Sequence, residues 1–341
     1  MSKKLTKILS VILAVVMVAC AFAGCAKTPA NDDPSSNESA STPVATGKVY
    51  KVGICQLAPH PALDAATEGF KRALTEKLGA NVEFDEQNAA GETPTCTTIV
   101  NNFVTDKVDL IMANATGALQ AAMAATADIP IVATSITDYA TALEATGWTG
   151  KTGINVTGTS DLAPLDRQAS MLKELVPEAK KVAILYCSAE PNSKYQSDIV
   201  AAELAKMGIE TKEFTVADTN DIDAVTRNAC DYADCIYVPT DNTLANASSA
   251  VNEVASAAKV PVVAGEEGIC KGCGIATLSI SYDSIGYEAG LMAYEILANG
   301  ANPGDMEIKS ATEFKNEYVA ERCEALGITV PDTYEAIKIA E

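Results

Sequence analysis

The chain has 341 residues, 48% of them hydrophobic, and what remains beyond a leader can bury the cores of roughly two domains. Its formal charge of -20 argues against nucleic acid or anionic lipid as a partner, because both need clustered positive charge. The single histidine, His60, removes nearly all Ser-His and Cys-His catalysis and any multi-histidine metal site.

Lys3, Lys4 and Lys7 precede an uncharged, mostly apolar run over 8–23, and Gly24-Cys25 follows. A basic head, an apolar stretch and small residues before a cleavage point make residues 1–24 a secretory signal. The run falls short of the roughly 20 residues a permanent spanning helix needs. Phe22-Ala23-Gly24-Cys25 looks like a lipobox, with Cys25 lipidated as the mature N-terminus. The alternative is an ordinary signal with a chance cysteine. Residues 25–47, rich in Ser, Thr, Pro, Asn and Asp, cannot bury enough apolar surface to offset ordering, so they form a flexible tether. The protein is expected outside the cytoplasm, held to the cell membrane by the lipid on Cys25.

From there the pattern alternates strand and helix. A strand over 49–55 precedes a helical stripe at Leu63, Ala66, Phe70, Leu74 and Leu78. Strands over 81–84, 109–113 and 129–134 alternate with helices over 96–103 and 118–127. The series resumes after Asn155-Val-Thr-Gly158 with a helix over 162–176. Strands over 182–186, 209–214, 235–238 and 260–264 follow, with helices over 196–207, from Ile222, and over 244–257 between them. A strand over 275–279, a helix through Ile285, Ala289, Met292 and Ile296, and one more strand-helix pair complete the chain. Repeated βα units predict parallel sheets covered by helices. The expected fold class is therefore α/β, two doubly wound parallel-sheet lobes joined by a three-segment hinge. Lobe 1 takes residues 48–157 plus 282–306, and lobe 2 takes 158–281 plus 307–341.

Eight cysteines lie beyond the signal region. Cys270-Lys-Gly-Cys273 has the spacing of a redox or zinc pair, but no second pair completes a four-cysteine site. A structural disulfide or plain thiols is the preferred reading. Cys55 and Cys187 end apolar strands and read as small buried hydrophobes.

In open parallel sheets ligands bind beyond the carboxyl ends of strands, and the polar loops fall there. In lobe 1 these are Gln56 to Asp64 with His60, Asn114-Ala-Thr116, and Thr134-Ser-Ile-Thr137-Asp138. In lobe 2 they are Ser188-Ala-Glu190-Pro-Asn192-Ser193, Pro239-Thr-Asp241-Asn242-Thr243, and Gly265-Glu266-Glu267. Thr116, Ser193 and Thr243 also sit where helix N-caps belong.

Taken together, these segments resemble the ABC transporter substrate-binding lipoprotein family with tryptophan- and tyrosine-binding members. The marks are Gly53-Ile54-Cys55-Gln56, His60-Pro-Ala-Leu-Asp64, Asn155-Val-Thr-Gly158 with Asp161, Glu190-Pro-Asn192-Ser193, Asp241-Asn-Thr243, and Tyr282 before Gly286. The resemblance covers essentially the whole exported chain. It implies a type I periplasmic-binding fold, an ABC permease as partner, and capture of a small amphipathic solute, often an aromatic amino acid. With one histidine and no catalytic motif, no catalysis, cofactor or metal is expected. Two departures stand at lobe 1: Ala115-Thr116-Gly117 in place of Ala-Thr-Pro, and Tyr139 where a proline is expected after Asp138.

An α-amino acid needs donors for its carboxylate and acceptors for its ammonium. Helix N-termini with Thr116 and Thr137 can supply the donors. Glu190 and Asp241 can accept from the ammonium, and Tyr282 can stack on an aromatic side chain. Gln56, His60, Asp138, Asn192, Ser193 and Asn242 complete the expected ligand contacts of a monomeric receptor. For Asp241 the competing reading is a helix cap, for Glu190 solvent exposure, and for His60 ordering of its own loop. A sugar or nucleoside receptor on the same fold is the nearest alternative. A hydrolase using the cleft carboxylates lacks a nucleophile elbow, metal cluster or phosphate loop, and a LacI-like regulator lacks a basic head.

Overall fold

The computed structural model describes residues 47–339, so the expected signal, Cys25 and nearly all of the tether lie outside the described residues. Lobe 1 begins with β1 (Tyr50–Gln56), α1 (Pro61–Leu78), β2 (Val82–Asn88), α2 (Thr93–Asp106), β3 (Leu110–Asn114), α3 (Thr116–Ala125), β4 (Ile131–Ile136), α4 (Tyr139–Ala142) and β5 (Val156–Ser160). Lobe 2 continues with α5 (Leu165–Leu175), β6 (Lys181–Cys187), α6 (Pro191–Lys206), β7 (Glu210–Val216), α7 (Ile222–Tyr232), β8 (Cys235–Val238), α8 (Asn242–Asn246) and α9 (Ser248–Ala258). It closes with β9 (Val262–Ala264), α10 (Glu267–Cys273) and β10 (Ala276–Ser279). The tail carries α11 (Tyr282–Asn299), β11 (Lys309–Ser310), β12 (Lys315–Tyr318), α12 (Ala320–Leu326) and β13 (Glu335–Ala336).

The strands form two sheets, ordered β11-β5-β4-β3-β1-β2 and β13-β12-β10-β9-β8-β6-β7. Every pair is parallel except β10 with β12. Covered on both faces, β3, β4 and β8 are buried end to end, whereas the edge strands β2 and β7 expose most of their residues. The chain passes between the sheets three times: after β5, between β10 and α11, and between β11 and β12. Both β5 and β11 pair within the first sheet, through Lys309 opposite Thr159 and Ser310 opposite Ser160. That sheet therefore reaches past the expected lobe limits at 157 and 306.

Helix α11 returns to lobe 1 because glycines let it lie almost against α1. A Cβ on Gly286 would fall 2.0 Å from the Ala66 carbonyl oxygen, and one on Gly69 would fall 2.2 Å from that of Asp283. Ile285 and Ala289 of this helix are buried with it.

Three elements differ from expectation. The helix expected over 244–257 is two, broken at Ala247. Helix α4 and helix α10 carry no apolar stripe long enough to be seen, and each is set by a cap instead. At the other end of α10, Arg322 donates to the carbonyls of Cys270, Lys271, Gly272 and Gly274 at 2.8–2.9 Å, satisfying oxygens the helix leaves open. Cys270 and Cys273 thus sit three residues apart on one helix. Side chains so placed have Cβ atoms about 5–6 Å apart, wider than the roughly 3.5–4.5 Å a disulfide spans. All eight described cysteines are free thiols, so of the two preferred readings the plain thiol holds. Among the described residues no helix is long and apolar enough to cross a membrane.

Candidate functional site

The carboxyl ends of both sheets meet the hinge at one place, beside the points where strand order reverses, β1/β3 in one lobe and β6/β8 in the other. Asp161, directly after β5, lies at its centre and is buried. One carboxylate oxygen accepts from the Tyr282 hydroxyl at 2.9 Å, and the other is buried with no partner. Burial raises its pKa to about 6, against the pull of the Tyr282 and Thr137 hydroxyls, and the Glu266 carboxylate adds to the rise. Tyr282 opens α11, so the glycine seam that seats this helix also fixes the hydroxyl on Asp161.

Other buried polar atoms around this point also lack partners: both ring nitrogens of His60, Ser135 Oγ and Asn192 Oδ1. A buried polar group without a partner costs on the order of 1–3 kcal/mol, so their gathering marks a place shaped for something else. His60, the residue before α1, is buried from lobe 1 against Asn242 of lobe 2. Burial lowers its pKa; the Asn242 side chain and the carboxylates of Asp64, Glu190 and Asp161 pull the other way.

Lobe 1 presents donors. Helix α3 starts without a side-chain cap: its N-cap is Ala115, at φ 86, and Thr116 is the first helical residue. Thr116 is therefore not the cap that its position suggested, and the amide N–H groups of this turn stay open. Ser135 takes φ 57 where β4 slips register against β5. Two non-glycine residues in sparsely populated backbone regions, at adjacent strand ends, are strain of the kind that binding sites retain.

Most of the remaining expected contacts serve the protein itself. Gln56 donates to the Ala58 carbonyl and to Asp64 (2.8 and 2.6 Å) and accepts from Thr67 at 2.7 Å, tying its loop to α1. Asp138 caps α4 through Thr141. Thr137 stays at the site beside Asp161. Asp241 accepts from the amides of Leu244 and Cys187 and from Ser193 Oγ, all at 2.7–2.8 Å. It is the cap of α8, with its pKa pushed up to about 8 by burial and by Glu190. Glu190 is buried rather than exposed. It accepts from the amides of Asn242 and Thr243, the Thr243 hydroxyl, and the side-chain amides of Asn242 and Asn192, at 2.7–3.2 Å. Both carboxylates are thus engaged by donors of lobe 2 itself. Ser193 is spent on Asp241 and lies three residues into α6, and Thr243 lies inside α8 rather than at its cap. Tyr139 points inward, donating to the Ala133 and Thr159 carbonyls, so that departure does not line the cleft.

Three groups at this place were not singled out among the expected contacts in the sequence: Asp161, Ser135 and Glu266. Asp161 was legible as the first residue beyond a strand end. Ser135 had no signal, since its backbone strain has no sequence signature. Glu266 caps α10 and is raised to about 7 by burial. A separate cavity of about 560 Å³ opens at the hinge between Thr159, Ser281, Ile285 and Lys309, but none of the unpartnered atoms lines it. Among the described residues no three His, Cys, Asp or Glu side chains gather as a metal site.

The chain is similar over most of its length to known proteins. The chain is similar to a tyrosine-binding protein of Clostridioides difficile, 37% identical over 91% of this chain and 89% of that one. It is similar to an ABC domain from Streptococcus pneumoniae solved in complex with L-Trp (TM-score 0.80, 31% identity, 84% of this chain and 97% of that one). It is also similar to the ligand-free, open structure of a substrate binding protein with adhesive properties from Clostridium difficile (TM-score 0.65, 36% identity, 86% and 100%). The fold is that of the type I periplasmic binding proteins. With strand ends facing across a hinge, and a match to the family's model over residues 51–338, the chain belongs to the ABC transporter substrate binding protein family.

Proposed function

We propose that this protein is the extracytoplasmic, lipid-anchored receptor of an ABC importer, a monomer that captures an aromatic L-amino acid between its lobes and passes it unchanged to a permease. The observation that carries the ligand class is Asp161, a buried carboxylate with one oxygen unpartnered. An ionised carboxylate in such a place calls for a cation, and an ammonium supplies both charge and donors. The open N-terminus of α3, with Thr116 and the unpartnered Ser135, offers the carboxylate its donors, while Thr137 stays with Asp161. The names of the relatives, one tyrosine-binding and one solved with L-Trp, support an aromatic side chain. Cys25, in its lipobox-like setting, supports the anchor, and Cys25→Ala should release the protein from membranes and abolish lipid labelling.

Calorimetry with free and N-acetylated aromatic L-amino acids tests the assignment. The free forms should bind and the acetylated forms should not. Asp161→Asn should weaken binding by about 2 kcal/mol or more, roughly thirtyfold, because it leaves a buried ammonium without a counter-charge. The same change should leave the unliganded protein at least as stable, since it removes a buried charge. Equal binding of acetylated and free forms, or no binding of any amino acid, overturns the reading.

A further inference from the structure

Glu190 is itself fully engaged, yet it determines which atoms of its neighbours are left without a partner. A carboxylate only accepts hydrogen bonds, so an amide that turns its nitrogen toward it must turn its oxygen elsewhere. Two side-chain amides do so here. Asn192 Nδ2 donates to Glu190 Oε2 at 3.2 Å and to the Thr240 carbonyl at 3.1 Å, and Asn242 Nδ2 donates to the same Glu190 oxygen at 2.7 Å. The orientation of each amide is thereby fixed. Asn192 Oδ1 is left buried and without a partner. Across from Asn242 stands His60 of lobe 1, its two ring nitrogens likewise unpartnered, its charge held off by burial. These atoms are distinct from Asp161, which has the formal charge that draws an ammonium. A neutral acceptor beside a neutral imidazole suits a neutral donor.

We propose that Asn192 and His60 read a hydrogen-bond donor on the ligand's side chain, with Glu190 as the positioning residue that aims the Asn192 oxygen. The donor is a phenol O–H or an indole N–H, and the device excludes a bare phenyl ring. This rests on the amino-acid reading above and adds to it the property selected. The physical basis is asymmetric. A site built to hydrogen-bond a ligand donor leaves its own buried groups unpaired when the donor is missing, and so discriminates by factors far beyond what shape alone supplies.

The experiment compares dissociation constants for L-tyrosine, L-tryptophan and L-phenylalanine by calorimetry, on the native protein and on Asn192→Leu and Glu190→Gln. The native protein should bind phenylalanine at least about a hundredfold more weakly than the better of the other two. Which of the two is better separates a phenol from an indole donor. In Asn192→Leu the ratio should fall below about tenfold, chiefly through loss of the donor-bearing ligand. In Glu190→Gln it should fall to an intermediate value, because a glutamine amide donates as well as accepts and no longer fixes both asparagines. The ratio is read within one protein, so a general loss of stability does not move it, and thermal melting confirms that each variant is folded. Native protein that binds phenylalanine within about threefold of tyrosine and tryptophan overturns this proposal while leaving the amino-acid reading intact. So does an Asn192→Leu protein that keeps the native ratio. If none of the three binds, both readings fall together.

Discussion

Asp241 and Asp161 are both buried carboxylates raised by desolvation, and their surroundings give them opposite work. Asp241 accepts from two backbone amides and a hydroxyl, so every lone pair it needs is matched inside lobe 2. Asparagine there must point its NH₂ group at one of those donors. Asp241→Asn should therefore cost about 1–3 kcal/mol of stability, read by denaturant unfolding, while the folded fraction keeps its affinity. A loss of affinity at unchanged stability would return Asp241 to the ligand. In sequence the two residues are indistinguishable, each the first acid after a strand. Cap or contact depends on which amides arrive from distant loops, and Cys187 and Ser193 lie some fifty positions from Asp241. The polar loops at the strand ends were legible, as was their convergence; the partition of labour among them was not. His60, Asn192 and Tyr282 could be picked out because unusual residue types stood in the right loops. Ser135 could not, because its distinction is a φ of 57.

At the scale of elements, alternation of buried strands with amphipathic helices was readable throughout, since burial on both faces leaves β3, β4 and β8 with continuous apolar runs. What could not be read was the seat of α11. Gly286 lies against the Ala66 carbonyl and Gly290 against that of Phe70, at distances no side chain fits. This seam places the first residue of α11, Tyr282, on Asp161. Gly286→Ala should push the helices apart at an overpacking cost of about 1–3 kcal/mol. It should also weaken ligand binding, because the hydroxyl that orients Asp161 moves with the helix. Unfolding curves and calorimetry on the same variant check both. A stability loss with native affinity would show that Tyr282 is held independently of the seam. Helix α10 is the converse case: short and without a stripe, it is held by Glu266 at one end and Arg322 at the other, and neither device shows in local periodicity.

The molecule as a whole brings its titrating groups together where the lobes meet. The carboxyls of Asp161, Glu266 and Asp241 are raised by burial to about 6, about 7 and about 8. A carboxyl raised in this way binds its proton more readily in the folded protein than in the unfolded chain. Its burial penalty is absent below the unfolded value, near 4, and complete above the folded one. The unliganded protein should therefore lose stability as the pH rises from about 4 to about 8. His60, lowered by burial, opposes this only below its ordinary value near 6.5, one group against three. A bound ammonium reverses the sign at Asp161. It holds the carboxylate ionised, so where Asp161 carries a proton, binding must expel it. Affinity should be full above about pH 6 and fall toward acid by up to about tenfold per pH unit for that one proton. His60 acts in the same direction, because only the neutral ring can accept from a ligand donor. Thermal melting between about pH 5 and pH 8, with and without a saturating aromatic amino acid, should show two opposed trends. The unliganded melting temperature should decline with rising pH while the increment due to ligand grows. In Asp161→Asn the increment should be smaller and nearly flat, with only the His60 contribution left at the acid end. An increment of equal size at both ends of the range in the native protein would take the ammonium away from Asp161.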